Sequence, residues 1–289
     1  MKCLFFIFIP FFASAQNFYE GIVVNKTTKE PVPYASVSLI KGRVGINADQ
    51  NGYFKLENSN IELNDSLMIS CMGFLPIKIQ VGALTNSSTK IQLSEAIFNL
   101  KEVVVSNNNF KNNITLNDFE KAIGPYYGSG NFIGQLAQHF VSLSENAMLK
   151  NIKIARFGIP LLLPQKCLFR IRVYDVDPVS GRPANDLTDQ IIEVNSKNKS
   201  VELDLEKYKI YIPNKDFFIA IEWLRIPYNA NEAKINGKSN IYYAPSIGWA
   251  KNSTNKMDIW ELGLNNVWGK LPQQLYANQN LAIAVSLLY

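Results

Sequence analysis

Apolar residues recur at every second position along most of this chain, and that period selects strands over helices as its main element. Phe169, Ile171 and Val173 alternate with Arg170, Arg172 and Tyr174, and Val201, Leu203 and Leu205 alternate with Glu202, Asp204 and Glu206. Successive side chains on a strand point to opposite faces, so each such run has one face suited to a core. The run Asp216–Trp223 is apolar on both faces until Glu222, which fits a central strand of a packed sandwich. One segment breaks the period. Thr115 with Asp118 three residues on has the form of a capping box, and Gly124-Pro125 follows, so a short helix is expected over 115–123.

Turn residues divide the alternating runs. Strands are expected at 18–24, 35–39, 43–48, 53–57, 67–71, 77–81 and 90–93, and seven short strands with turn chemistry between them make a sandwich. Asp49-Gln50-Asn51-Gly52 suits a tight hairpin, because Asn and Gly tolerate the positive φ angles such a turn requires. Residues 106–114 are rich in Asn and poor in apolar side chains, which marks a linker. The expected organisation is therefore a first β-sandwich over 16–105, this linker, and a second, larger β-sandwich over 115–289.

Several motifs fall in a recognisable order within the first of these. They are Gly21-Ile22-Val23-Val24, Glu30-Pro31-Val32-Pro33-Tyr34-Ala35-Ser36-Val37, then Gly45, Asp49, Gly52-Tyr53-Phe54, Met72-Gly73-Phe74 and Leu100-Lys101-Glu102-Val103-Val104-Val105. The segment resembles the carboxypeptidase-regulatory-like domain, which implies a transthyretin-like seven-strand β-sandwich. Domains of this kind occur beside carboxypeptidase catalytic domains and at the N-termini of TonB-dependent outer-membrane receptors. Glu102-Val103-Val104-Val105 resembles the segment before the plug of those receptors, where an extended strand can pair with a partner. The second half is similar to exported carboxypeptidase-like regulatory proteins, which implies a jelly-roll-like β-sandwich. Asp65-Ser66-Leu67 resembles the acceptor motif for O-glycosylation in some gram-negative exporters.

Residues 1–15 read as a secretory signal peptide: Lys2, an apolar run, then Ala13-Ser14-Ala15 as a cleavage site. That run is shorter than the roughly 20 residues needed to span a bilayer, so no transmembrane segment is expected. Export to the periplasm or the outer-membrane surface of a gram-negative cell follows. Beyond this peptide only Cys71 and Cys167 remain, and they read as two separate buried thiols. The formal charge of +5 is mild and scattered, without the basic stripe of a nucleic-acid footprint.

His139 is the only histidine, which excludes a two-histidine zinc site of the carboxypeptidase kind. It lies in an alternating strand and reads as structural, and no Gly-x-Ser-x-Gly elbow offers it a serine. Paired carboxylates could hydrolyse glycosides without histidine, and Asp175, Asp177, Asp186, Asp189, Glu193 and Glu222 are the pool. Asp175, Asp177 and Asp186 also form a candidate structural calcium site, since calcium takes several oxygen ligands from a loop. Aromatic faces stack on sugar rings, and Tyr242, Tyr243, Trp249 and Trp260, with Tyr126, Tyr127 and Trp268, are candidate ligand-binding residues. Trp223, on the most apolar strand, belongs to the core. The reading is an exported, non-catalytic binding or adaptor protein of the cell envelope, with an envelope protein or glycan as partner. A carbohydrate-binding module and a carboxylate-dependent glycoside hydrolase are the alternatives.

Overall fold

The computed structural model describes residues 18–57, 61–84, 88–96, 110–126, 133–158, 164–235, 238–250, 258–272 and 279–289. The expected signal peptide, Tyr127 and the Leu100–Val105 motif lie outside them, as do residues 106–109 of the expected linker. The described chain is almost entirely β, as its alternation requires.

The first body contains β1 (Phe18–Asn25), β2 (Ser36–Leu39), β3 (Val44–Asn47), β4 (Tyr53–Glu57), β5 (Ser66–Ser70), β6 (Ile77–Gln80) and β7 (Ser88–Leu93). They form two sheets, ordered β4-β1-β7 and β3-β2-β5-β6. Val23, Phe54, Leu56 and Ile91 from the first sheet meet Val37, Leu39, Leu67 and Ile69 from the second in one core. A turn forms at 49–52, but it does not close the expected hairpin: it carries the chain from β3 in one sheet to β4 in the other. Asp49 Oδ1 accepts from the amides of Asn51 at 2.8 Å and Tyr53 at 2.9 Å. Gly52 takes a φ of 73°, and a Cβ there would stand 2.5 Å from the Val23 carbonyl oxygen. Only glycine fits both demands. Just before β5, Asp65, buried at 2% exposure, braces the β2–β3 hairpin loop by accepting from the amides of Lys41 at 2.9 Å and Gly42 at 2.8 Å, and also accepts from Ser66 at 2.6 Å.

The second body begins with β8 (Asn113–Leu116), β9 (Ala122–Tyr126), β10 (Ile133–Val141), β11 (Ala147–Phe157), β12 (Cys167–Val176), β13 (Pro183–Asp186), β14 (Ile192–Ser196) and β15 (Ser200–Asp204). It continues with β16 (Tyr211–Ile212), β17 (Asp216–Trp223), β18 (Ala230–Ile235), β19 (Lys238–Tyr243), β20 (Ser246–Ala250), β21 (Ile259–Gly263), β22 (Trp268–Lys270) and β23 (Ile283–Leu288). One sheet runs β13-β12-β17-β10-β21-β22, with β14 also on β12. The other runs β8-β23-β11-β20-β9, with β15 and β16 also on β11, and β18 and β19 form a separate ribbon. Leu136, Phe140, Phe169, Ile171, Phe217 and Ile219 from the first sheet pack on Leu149, Ile152, Ile154, Ile283, Val285 and Leu287 from the second. Trp223 is in this core at 1% exposure, its Nε1 donating to the Pro245 carbonyl at 2.7 Å. β17 lies between β12 and β10, the central place its two apolar faces called for.

The helix expected over 115–123 does not form. β8 and β9 occupy its two ends, and β8 starts inside the expected linker. Thr115 does not cap a helix: its hydroxyl meets that of Ser286 at 2.8 Å, across the β8–β23 pairing. Asn117 turns the chain at a φ of 50° and donates to the carbonyls of Leu281 and Ile283, each at 2.8 Å. Tertiary bonds to the last strand thus outweigh a weak local helix signal.

Candidate functional site

The alternation of β12 sends Phe169, Ile171 and Val173 into the sandwich core and Arg170, Arg172 and Tyr174 to the opposite face. That second face is not open to water. The three residues are only 2%, 6% and 5% exposed. The first body covers part of this face through specific contacts. Asn47 is the centre of them: its amide donates to the Arg225 carbonyl at 3.1 Å, and its Oδ1 accepts from the Arg225 amide at 2.8 Å. Its Nδ2 donates to the Tyr34 carbonyl at 2.8 Å, so one side chain ties both bodies. The Ser38 hydroxyl donates to the Leu264 carbonyl at 2.6 Å. The Arg170 guanidinium lies 5.2 Å from the centre of the Tyr34 ring. A Cβ on Gly45 would stand 2.9 Å from the Leu264 side chain, so the glycine lets the β21–β22 turn seat closely.

Arg172 organises the buried face. Its Nε donates to Asp186 Oδ1 at 2.9 Å and its Nη2 to Asp186 Oδ2 at 2.6 Å, a two-bond fork. Nη1 donates to Glu222 Oε2 at 3.2 Å. Burial opposes the charge on Arg172, yet Tyr174, Asp186 and Glu222 around it outweigh burial and hold its pKa well above the ordinary value. Burial pushes the Asp186 carboxyl upward even though Arg172 pulls it down. Tyr174 is raised by burial as well, and its hydroxyl donates to Gln135 Oε1 at 2.7 Å. Arg170 makes a parallel pair, giving Nε and Nη2 to Glu193 Oε1 at 3.1 and 3.0 Å. Charge at this junction is thus neutralised within the protein itself.

Beside this layer the two bodies leave a cleft of about 880 Å³. Residues 70–74 of the first body form one wall, and Arg172, Glu222, the β12–β13 turn and Trp268 form the others. Trp268 stands against Tyr174 edge to face, ring centres 5.7 Å apart with planes at 80°. A smaller polar chamber of about 30 Å³ adjoins it, walled by Ser36, Asn47, Ser70, Gln135 and Glu222 among others, with room for about two waters. Cys71 lines the large cleft and is half-buried, its thiol pushed up by burial; Cys167 is buried, pushed up to about 11 by burial, and both are free thiols.

The residues singled out from sequence fall in different places. Asp175, Asp177 and Asp186 do not converge as a calcium site, because each carboxylate is spent elsewhere. Asp175 accepts from the Asn185 amide at 2.6 Å, Asp177 caps its own turn by accepting from the amides of Val179 and Ser180, and Asp186 holds Arg172. Among the described residues no group of three or more His, Cys, Asp or Glu side chains could hold a metal ion. Tyr242, Tyr243, Trp249 and Trp260 do not form one platform either. The tyrosines lie on the β18–β19 ribbon, Trp249 on β20 and Trp260 on β21, in three different sheets. Trp260 packs on Phe218 with ring centres 6.5 Å apart, and the Arg225 guanidinium lies over Tyr243 at 5.8 Å. His139 is structural in the way expected: it bonds Asp216 at 2.9 Å and its ring lies 5.1 Å from that of Phe218. Of the carboxylate pool, Asp186 and Glu222 are the two brought together, by Arg172. Sequence reading missed Arg172, Arg170 and Gln135. The signal was present, since charged residues within strands of otherwise core character are almost never buried unless paired.

The motif order and the seven-strand sandwich define the first body as a carboxypeptidase-regulatory-like domain. Residues 19–105 match the CarboxypepD_reg-like domain family. No curated protein matches the chain. Among solved structures it is similar to the cysteine protease and lectin-like domains of Cwp84, a surface layer associated protein of Clostridium difficile, at 11% identity and a TM-score of 0.35. That likeness covers 54% of this chain and 32% of the other, so the chain spans about a third of that structure's length. A putative carbohydrate binding protein from Bacteroides uniformis is similar at 11% identity and a TM-score of 0.21, over 81% of this chain and 98% of the other. BcpA, the major pilin subunit of Bacillus cereus, is similar at 10% identity and a TM-score of 0.19, over 89% and 67%. At such TM-scores these likenesses say nothing about ligand or activity.

Proposed function

We propose that this chain is an exported, non-catalytic binding or adaptor protein of the cell envelope, and that the cleft between its two bodies is where it binds. The observation that carries this reading is the Arg172 network. A guanidinium locked to two carboxylates gives the cleft a fixed floor with no unpaired positive charge, suited to holding a ligand in one orientation. Its walls come from both bodies, and clefts of roughly 300–1,000 Å³ at domain junctions are common ligand sites. Export rests on the signal-peptide character of residues 1–15.

One observation favours a second reading. Asp186 and Glu222 meet in the cleft and burial raises Asp186, the environment a glycosidase uses to keep its acid protonated. Against it, the same guanidinium occupies both carboxylates and leaves neither directed at a bond to be cleaved. The two readings separate in one experiment: incubation of the purified chain with glycan and peptide libraries, read by binding and by product mass. Saturable binding with unchanged ligand supports the binding protein. Product that disappears in Glu222→Gln overturns it in favour of the hydrolase.

A further inference from the structure

The geometry points to a short neutral oligosaccharide as the occupant of the cleft, an inference that rests on the binding reading above. Three features carry it. The first is charge. Arg172 and Arg182 face Asp177, Asp186 and Glu222 in the lining, so the cleft has no positive excess to hold a phosphate or nucleotide. Arg172 is already bonded to both partners, and Asp177 is spent on its own turn.

The second feature is the kind of polar group left facing the void. Asn185 and Asn266 are exposed at the cleft, on the edge strand β13 and in the β21–β22 turn, and Asn185 gives one Nδ2 hydrogen to Asp175 Oδ2 at 3.3 Å, which fixes the orientation of its amide. A side-chain amide offers donor and acceptor together, which matches the paired donor and acceptor character of vicinal hydroxyls. The third is the aromatic. Trp268 is partly exposed and held upright by Tyr174, so it presents indole surface without needing to be ordered on binding. Phe74 lies in the facing wall and adds apolar surface from the first body. Apolar ring faces flanked by amides suit a sugar ring, which has C–H faces and a rim of hydroxyls. Of the described aromatics that the sequence put forward, Trp268 alone lines this cleft.

The test is a titration of the purified full chain with short gluco-, manno-, xylo- and galacto-oligosaccharides, followed by tryptophan fluorescence and calorimetry. At least one series should bind saturably, and Trp268→Ala should weaken it about tenfold or more, which corresponds to about 1.4 kcal/mol. Ala184→Trp, which fills the cleft without altering Trp268, should abolish binding, while Tyr242→Ala on the distant ribbon should not change it. Thermal melts of each variant establish that it is folded. The inference is overturned if no series binds, or if binding survives Trp268→Ala and Ala184→Trp unchanged. If instead an extended peptide from the library of the previous section binds and Ala184→Trp blocks it, the saccharide is wrong and the binding cleft stands. If the cleft-filling variant alters no binding of any kind, both fall.

Discussion

Replacing Arg172 by Met tests the Arg172 network at its centre. The side chain is 7% exposed and holds Asp186 at 2.6 Å and Glu222 at 3.2 Å, with those partners 14% and 12% exposed. Met keeps the length and apolar stem but removes the charge and leaves two largely buried carboxylates facing each other. Breaking a buried ion pair by deleting one partner costs about 3–5 kcal/mol, and we expect a loss in that range near neutral pH. The sign of its pH dependence is fixed by Asp186. Burial already raises its pKa, and Arg172 is what lowers it, so the variant raises it further. A carboxyl whose folded pKa lies above its unfolded value binds a proton first in the folded state. Stability of the variant should therefore recover as pH falls from neutral towards about 4, where the unfolded carboxyl also protonates. Urea unfolding followed by tryptophan fluorescence, at near-neutral and mildly acidic pH, measures both effects. The triple variant Arg172→Met, Asp186→Leu, Glu222→Met should regain most of the loss, because it removes the orphaned charges as well. A loss below about 1 kcal/mol, or a loss equal at both pH values, would refute the assignment of Arg172 as the ion that neutralises this face.

Two further outcomes follow from bonds elsewhere. Asn47→Ala removes the acceptor of the Arg225 amide at the junction and should cost about 1–3 kcal/mol by chemical denaturation, with faster protease cutting between the bodies; unchanged unfolding and cutting would show that this contact does not couple them. Asp65→Asn should destabilise the first body by a similar amount at neutral pH. Burial opposes the Asp65 charge, but the amides of Lys41, Gly42 and Ser66 outweigh it and hold its carboxyl below the ordinary 3.8. Its contribution is present above that value and is lost as pH falls through the lower folded one, so wild type and variant should converge in strong acid. A gap that persists there would contradict the role given to the ionised form.

Strands were legible because their code is local. The expected 53–57 strand is β4 to the residue, and Asp49 and Gly52 announce the turn before it. Thr115 and Asp118 misled because a capping box is a local signal, and it lost to a partner strand about 170 residues later. The site was harder for a related reason. Alternation on β12 shows that Arg170, Arg172 and Tyr174 share a face, but nothing local says that another body covers it. Glu222 was the clearest clue, a carboxylate near the end of an otherwise apolar strand that pairs with β12 on one side and β10 on the other. The candidate ligand-binding aromatics Tyr242, Tyr243, Trp249 and Trp260 fall in three sheets, because abundance in loops and strands does not fix which sheet a ring belongs to.

The position of β23 bears on how such a chain matures. It sits between β8 and β11, inside its sheet, with Ile283, Val285 and Leu287 wholly buried. A ribosome delivers those residues after every other strand of the second body. Until they arrive β8 has no neighbour, β11 lacks one of its partners and the core lacks Ile283, Val285 and Leu287, so that body cannot lock early. Pairings of such long sequence separation also form slowly. That body therefore stays open between β8 and β11 until β23 emerges, and only then closes around it.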